Sequence, residues 1–211
     1  MFSTKEALSE GWRLSKQNLG FLLGVHAVAI AIQTVPQFLF KDSPGTQAAV
    51  VIGCMLLSFV VALGLVRIGL NVVDGEPSGY GDLFGSAHLV FKYLIASILY
   101  ALIVLFGLIL FVIPGCIWGA QFSQWPFLMV EREFGPIEAL SESSKLTKGS
   151  RSSLILYYMA LIGVVLLGVM AFLVGVIVSY AVCTVSMAYV YRQLLANVSS
   201  PDDSELTEIA S

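Results

Sequence analysis

Glu6-Ala-Leu-Ser-Glu-Gly-Trp-Arg-Leu-Ser-Lys16 returns 132 residues later as Glu138-Ala-Leu-Ser-Glu-Ser-Ser-Lys-Leu-Thr-Lys148. Seven of the eleven aligned positions are identical, and Arg13/Lys145 and Ser15/Thr147 keep their chemistry. Each copy stands just before a long uncharged stretch. The chain therefore reads as units, each a short polar helix followed by a pair of membrane spans.

Composition fixes the solvent. Of the 211 residues, 57% are hydrophobic and 12% charged, with a mean hydropathy of +0.87. Soluble domains carry roughly 25% charged residues, so this chain could not cover a water-facing surface and belongs in a bilayer. The net charge of −3 lacks the basic face of a nucleic-acid binder. The N-terminus has no basic start leading directly into an apolar run, so it does not read as a signal peptide. Cys54, Cys116 and Cys183 sit singly in apolar runs and read as small packing residues.

A helix needs about 20 apolar residues to cross the hydrocarbon. Leu19–Phe40 fits one span. Lys41 to Gly45 reads as a turn, and Thr46–Val66 is the second span, continuing toward Val73. Tyr93–Val130 is free of charge for 38 residues, about 57 Å as one helix, so it must break. Pro114-Gly115 supplies the break, predicting spans Tyr93–Ile113 and Cys116–Val130. Ser152–Tyr191 is also too long for one span, and the repeat offset places its turn near Leu173–Gly175.

These spans number six. Ten of the eleven Lys and Arg residues fall on one side, with only Lys41 on the other. The positive-inside rule then makes both termini cytoplasmic. The predicted fold class is all-α: a polytopic membrane protein with six transmembrane helices and two or three cytoplasmic interfacial amphipathic helices, in tandem units. A single membrane domain covers residues 1–198, with units at about 1–73, 74–134 and 135–198. Residues 199–211 form an acidic tail, expected to be disordered.

The repeat copies are punctuated as helices. Gly135-Pro136 opens the second and Gly149 closes it. Acids lead and bases trail in both, matching the helix dipole. Glu10–Arg13 and Glu142–Lys145 are pairs three residues apart. Leu8, Trp12, Ser15 and Leu19 form the apolar face of the first copy; Ile137, Leu140, Ser144 and Thr147 form that of the second. Both helices should lie in the headgroup layer, where Trp12, Arg13, Lys16, Glu138, Glu142, Lys145 and Lys148 are the candidate contacts to membrane lipids or to a protein partner. A weaker third copy starts at Asp82, with a stripe of Leu83, Phe84, Ala87, Val90 and Phe91.

The stretch from Phe127-Leu-Met-Val-Glu-Arg-Glu-Phe-Gly-Pro136 through Glu138-Ala-Leu-Ser-Glu142 to Leu146-Thr-Lys-Gly149 resembles the hallmark of a broad group of bacterial polytopic membrane proteins. The group includes the YciC-like proteins and the membrane domain fused to some glycerophosphodiester phosphodiesterases. Pro114-Gly115 and Gly75-Glu76…Asp82-Leu-Phe84 fit the same pattern. One departure stands out: Ser143-Ser144 occupies a place where an aromatic is usual. The resemblance implies an architecture and a bacterial inner-membrane location. The phosphodiesterase activity belongs to a separate catalytic domain.

No zinc-protease, P-loop, nucleophile-elbow or dinucleotide pattern is present, and no cofactor is implied. Ionisable groups inside spans mark transport sites, and two occur. His26 is either a packed, hydrogen-bonded ring or a proton or metal site. Arg67 either snorkels to the headgroups or joins an intramembrane site. Gln33 with Gln37, and Gln121 with Gln124, share helix faces and read as interhelical hydrogen bonders or as part of a polar cavity. The leading expectation is a non-enzymatic scaffold or accessory protein. The alternative is a small transporter or lipid-handling protein whose polar site comprises His26, Gln33, Gln37, Arg67, Gln121 and Gln124.

Overall fold

The computed structural model describes residues 3–39, 44–170 and 172–199. Of the turn expected over Lys41 to Gly45, residues 41–43 lie outside the described residues, as does the tail beyond Ser199, while Pro44 and Gly45 open α3. The described chain is helical, in the order α1 (Thr4–Gln17), α2 (Leu19–Leu39), α3 (Pro44–Asp74), α4 (Val90–Leu110), α5 (Val112–Gln121), α6 (Trp125–Arg132), α7 (Pro136–Leu146), α8 (Arg151–Met170) and α9 (Phe172–Ser199). Among the described residues, five helices are long and apolar enough to cross a membrane: α2, α3, α4, α8 and α9.

The two prolines of the 38-residue apolar run set its shape. A helical proline lacks the N–H that would bond the carbonyl four residues back, and its ring collides with that carbonyl. The breaks accordingly fall four residues before each proline. α4 ends at Leu110, four before Pro114, and Phe111 turns to extended backbone (φ −165, ψ 151). Pro114 itself sits in the first turn of α5, where no intrahelical donor is needed. This corrects the expected break at Pro114-Gly115. α5 stops at Gln121, and Phe122 stands four before Pro126, which lies in the first turn of α6. The expected Cys116–Val130 span is thus two short helices with a break between them.

α5 folds tightly back on α4. A Cβ at Gly107 would lie 2.9 Å from the Gly115 Cα, so both positions need glycine. The Tyr100 hydroxyl donates to the Gly119 carbonyl at 3.0 Å. Gly115 and Gly119 therefore serve packing inside the chain, whereas a side chain at Gly20 would meet nothing. α8 ends at Met170 and α9 begins at Phe172, so Leu173–Gly175, where the turn was expected, falls inside α9.

α3, α6 and α9 meet at the centre. A Cβ at Gly69 of α3 would come within 3.2 Å of Thr184 on α9. Phe127 of α6 stacks on Tyr191 of α9 with ring centroids 5.2 Å apart. Outside them, α2 packs on α3 and α9, α4 on α3 and α5, and α8 on α5 and α9.

Three short elements dock on this bundle. α1 lies on α9, α7 on α4 and α6, and two 3-10 turns, Tyr80–Leu83 and Ala87–Leu89, lie mainly on α3. These turns replace the amphipathic helix expected after Asp82. Gly79, Gly81 and Gly85 favour tight turns over a regular helix, and Gly79 N–H is bound by the Asp82 carboxylate at 2.8 Å. Leu83 and Leu89 are buried, while Phe84 and Phe91 are exposed.

α7 has the expected punctuation. The Glu138 carboxylate accepts from Gly135 N–H at 3.4 Å, Pro136 opens the helix, and Gly149 adopts a positive φ of 85° beyond its end. The pairs Glu10–Arg13 and Glu142–Lys145 both form, at 2.6 Å. The inward faces differ from those expected. α1 buries Ala7, Gly11 and Ser15; α7 buries Ala139, Leu140, Ser143 and Leu146, with Thr147 just beyond it. Trp12 and Ile137 point outward, 48% and 75% exposed. Small residues four apart let each helix sit close on the bundle, so packing selects them over the bulkier stripe.

Candidate functional site

The break between α5 and α6 brings several buried polar groups together: Gln124, Ser143 and Thr147. Ending a helix there frees the Gln121 carbonyl and the Gln124 N–H, which cannot be left unpaired in a dry site. α7 supplies their partners. The Ser143 hydroxyl accepts from Gln124 N–H at 3.1 Å and lies 3.2 Å from the Gln121 carbonyl. The Thr147 hydroxyl donates to the same carbonyl at 2.8 Å. The Gln121 amide donates to the Ser144 hydroxyl at 2.5 Å. Ser143 and Thr147 are fully buried.

The Gln124 side chain turns the other way. It is 1% exposed, and its amide donates to Ser123 and Tyr158 hydroxyls at 3.2 and 3.4 Å. Its carbonyl oxygen has no hydrogen-bond partner among the described residues. The assignment of amide O and N is interchangeable. In either orientation one polar end of Gln124 is left over.

The six residues expected to share a polar site are dispersed. Gln121 and Gln124 flank the break. His26 on α2 faces α9 instead. Its Nδ1 lies 2.8 Å from the Leu22 carbonyl and its Nε2 3.3 Å from the Thr184 hydroxyl. A carbonyl only accepts, so Nδ1 carries the proton; the single Thr184 hydroxyl proton is divided between Nε2 and the Tyr180 carbonyl, 3.0 Å away. Nδ1 is thus held within α2, and Nε2 is the nitrogen that meets α9. Gln33 is half-buried further along α2, and the side chain of Gln37 lies outside the described residues.

Arg67 joins a separate, charged pocket of about 510 Å³ where α3, α6 and α9 end, together with Asn71, Glu76 and Arg132. Its centre is Arg192. The guanidinium grips Asp74 at 2.5 and 2.9 Å and also pairs with Glu131, which accepts from the Tyr191 hydroxyl. Three central helices are clasped there by one arginine. A planar fork suits this role better than a lysine.

Above this clasp lies an apolar cavity of about 660 Å³ between α3, α4, α5, α6, α8 and α9. Its wall carries the rings of Tyr93, Tyr100, Trp125, Phe127 and Tyr158, with Ser97, Ser123 and Thr184 as its hydroxyls. Among the described residues, no Asp, Glu, Lys, Arg or His lines it. Composition had signalled neither cavity nor clasp. Pro126, and the Ser143–Thr147 spacing of four aligned by the repeat with Gly11–Ser15, were the readable traces of the capped break. The headgroup candidates Trp12, Arg13, Lys16, Glu138, Lys145 and Lys148 are exposed, and Glu142 is half-buried.

Five apolar helices around a packed centre, with charge confined to their ends, define a helical membrane protein. No family model matches the chain, and no solved structure does. It is similar to the uncharacterized protein Rv2560 of Mycobacterium tuberculosis, 28% identical over 133 residues. It is equally similar to the uncharacterized protein Mb2590 of Mycobacterium bovis. The matched region covers 62% of this chain, and the chain spans about 40% of the length of these relatives.

Proposed function

We propose that the protein is a non-enzymatic, multi-pass protein of the bacterial inner membrane, with both termini cytoplasmic, acting as a scaffold or accessory component. Its plan would be that of the YciC-like group. In this reading α5 and α6 together make a sixth crossing. The segment from Val112 to Arg132 is about 31 Å long at helical rise, against about 30 Å of hydrocarbon.

The three units then form a ring. Each begins with a polar element that rests on the second span of the unit before it: the 3-10 turns on α3, α7 on α6, and α1 on α9, closing the circle. One observation carries the functional reading. α1 and α7, equivalent in sequence, bury the same three positions, Ala7/Ala139, Gly11/Ser143 and Ser15/Thr147, and turn Glu10–Arg13 and Glu142–Lys145 outward. Two helices held rigidly by their inner faces display matched charged faces to headgroups or to a partner.

A photo-crosslinker at Lys145 in native membranes tests this. Capture of phospholipid, or of one defined protein, is expected. Capture of neither overturns the reading. Reporter fusions at Ser43 and Ser211 should report extracytoplasmic and cytoplasmic locations, respectively.

A further inference from the structure

We infer that the 660 Å³ cavity is a binding site for a membrane lipid with an uncharged, hydrogen-bonding headgroup, of the diacylglycerol class, which enters sideways from the bilayer. This inference stands apart from the accessory role and survives its failure.

Three observations converge on that ligand. The first is size and lining. The cavity falls within the range of about 300–1,000 Å³ typical of small-molecule sites, and apolar walls with a few placed polar groups are their usual chemistry. The second is the position of its mouth. Cys116 on α5 and Met159 and Ile162 on α8 line the cavity and are exposed, the latter two by 63% and 55%. They belong to the apolar helices α5 and α8, so the opening faces hydrocarbon. What the bilayer offers at that opening is an acyl chain.

The third observation is the polar end. Ser123 and Tyr158 line the cavity beside the α5–α6 break, and both bond to Gln124, whose remaining amide group is buried without a partner among the described residues. Gln124 does not itself line the cavity; it holds in place the two hydroxyls that do. A lipid hydroxyl or ester carbonyl at this end of the cavity meets the Ser123 and Tyr158 hydroxyls. A phosphate or ammonium does not fit, because among the described residues no charged side chain lines the cavity and an unpaired charge there would be strongly penalised. Neutral headgroups are selected over the zwitterionic and anionic lipids that make up the bulk bilayer.

Trp125 lines the cavity and is 4% exposed, so it reports occupancy while remaining shielded from bulk lipid. The full chain carrying Trp12→Phe and Trp118→Phe leaves Trp125 as its only tryptophan. It would be reconstituted in phosphatidylcholine vesicles and titrated with diacylglycerol brominated on its acyl chains. Saturable quenching, reversed by unbrominated diacylglycerol and not reproduced by brominated phosphatidylcholine, is expected. Gly119→Leu, which pushes a side chain into the cavity, should reduce quenching to the phosphatidylcholine level. Met159→Phe at the mouth serves if Gly119→Leu misfolds. Tyr158→Phe, which removes a hydroxyl from the cavity wall and keeps the ring, should abolish the preference for brominated diacylglycerol over brominated triacylglycerol, which lacks the free hydroxyl. Equal, unsaturable quenching by both brominated lipids, or no quenching by either, overturns the site.

Discussion

Replacing Ser143 by alanine removes one hydroxyl from an exposed-looking polar helix, yet it should destabilise the protein as a core substitution does. Two backbone groups depend on α7. Gln124 N–H has Ser143 as its partner at 3.1 Å, while the Gln121 carbonyl is shared between Ser143 at 3.2 Å and Thr147 at 2.8 Å. Ser143→Ala therefore orphans the N–H and leaves the carbonyl held, at a cost of about 1–3 kcal/mol for a buried unsatisfied group. Thr147→Val leaves the carbonyl with Ser143 and should cost about 0.5–1.5 kcal/mol. The double variant orphans both groups, adding a further penalty of about 1–3 kcal/mol that neither single variant incurs. The double should exceed the sum of the singles. Interhelical side-chain bonds in membranes average about 0.6 kcal/mol because side chains find other partners; a backbone group at a helix break has no such freedom. Reversible denaturant unfolding in detergent micelles, followed by circular dichroism, measures all three variants. A strictly additive double, or a Ser143→Ala cost below about 0.5 kcal/mol, the ordinary surface value, would refute the capping role.

Gly64→Ala should cost about 1–3 kcal/mol, because its Cβ would collide with the Leu83 backbone. Gly20→Ala meets open space and should stabilise by up to about 1 kcal/mol through helix propensity; thermal unfolding of the two compares them directly. Arg192→Met should cost about 1–3 kcal/mol, less than the 3–5 kcal/mol of a broken buried pair. Asp74 and Glu131 keep 31% and 27% side-chain exposure, so solvent screens them, and the loss measured by denaturation should shrink with added salt. His26→Phe should cost about 1 kcal/mol by thermal unfolding, since it removes the bonds to Leu22 and Thr184 and keeps the ring volume.

Five of the six expected spans have a counterpart in a long apolar helix, because apolar length speaks directly to hydrocarbon thickness. α7 was legible too, because its Gly135-Pro136 and Gly149 ends are local chemistry. The break expected at Pro114-Gly115 falls earlier, after Leu110, because a proline's steric effect reaches the carbonyl four residues back; the break at Phe122, four before Pro126, was not expected at all. The inner faces of α1 and α7 were misread because amphipathicity weights bulk. Ala7, Gly11 and Ser15 carry little hydrophobicity, yet close approach to Ser186 selects them: its hydroxyl bonds the Ala7 carbonyl at 2.8 Å. The scattering of His26, Gln33, Arg67 and Gln121 was beyond reach, since residues on separate spans converge or diverge according to helix rotation, which periodicity within one span does not fix. The cavity and the Arg192 clasp are likewise products of long-range packing.

Closure of the ring by α1 on α9 is the contact on which the three-unit arrangement rests. Glu6 on α1 lies close enough to Tyr189 on α9 for their side chains to interact. Cysteines at these two positions, in a chain with Cys54, Cys116 and Cys183 replaced by alanine, would be treated with a short bifunctional thiol reagent in membranes. An intramolecular cross-link joining the two ends of the chain in the monomer is predicted. Free thiols throughout, or cross-linking only between separate molecules, would contradict the closed ring.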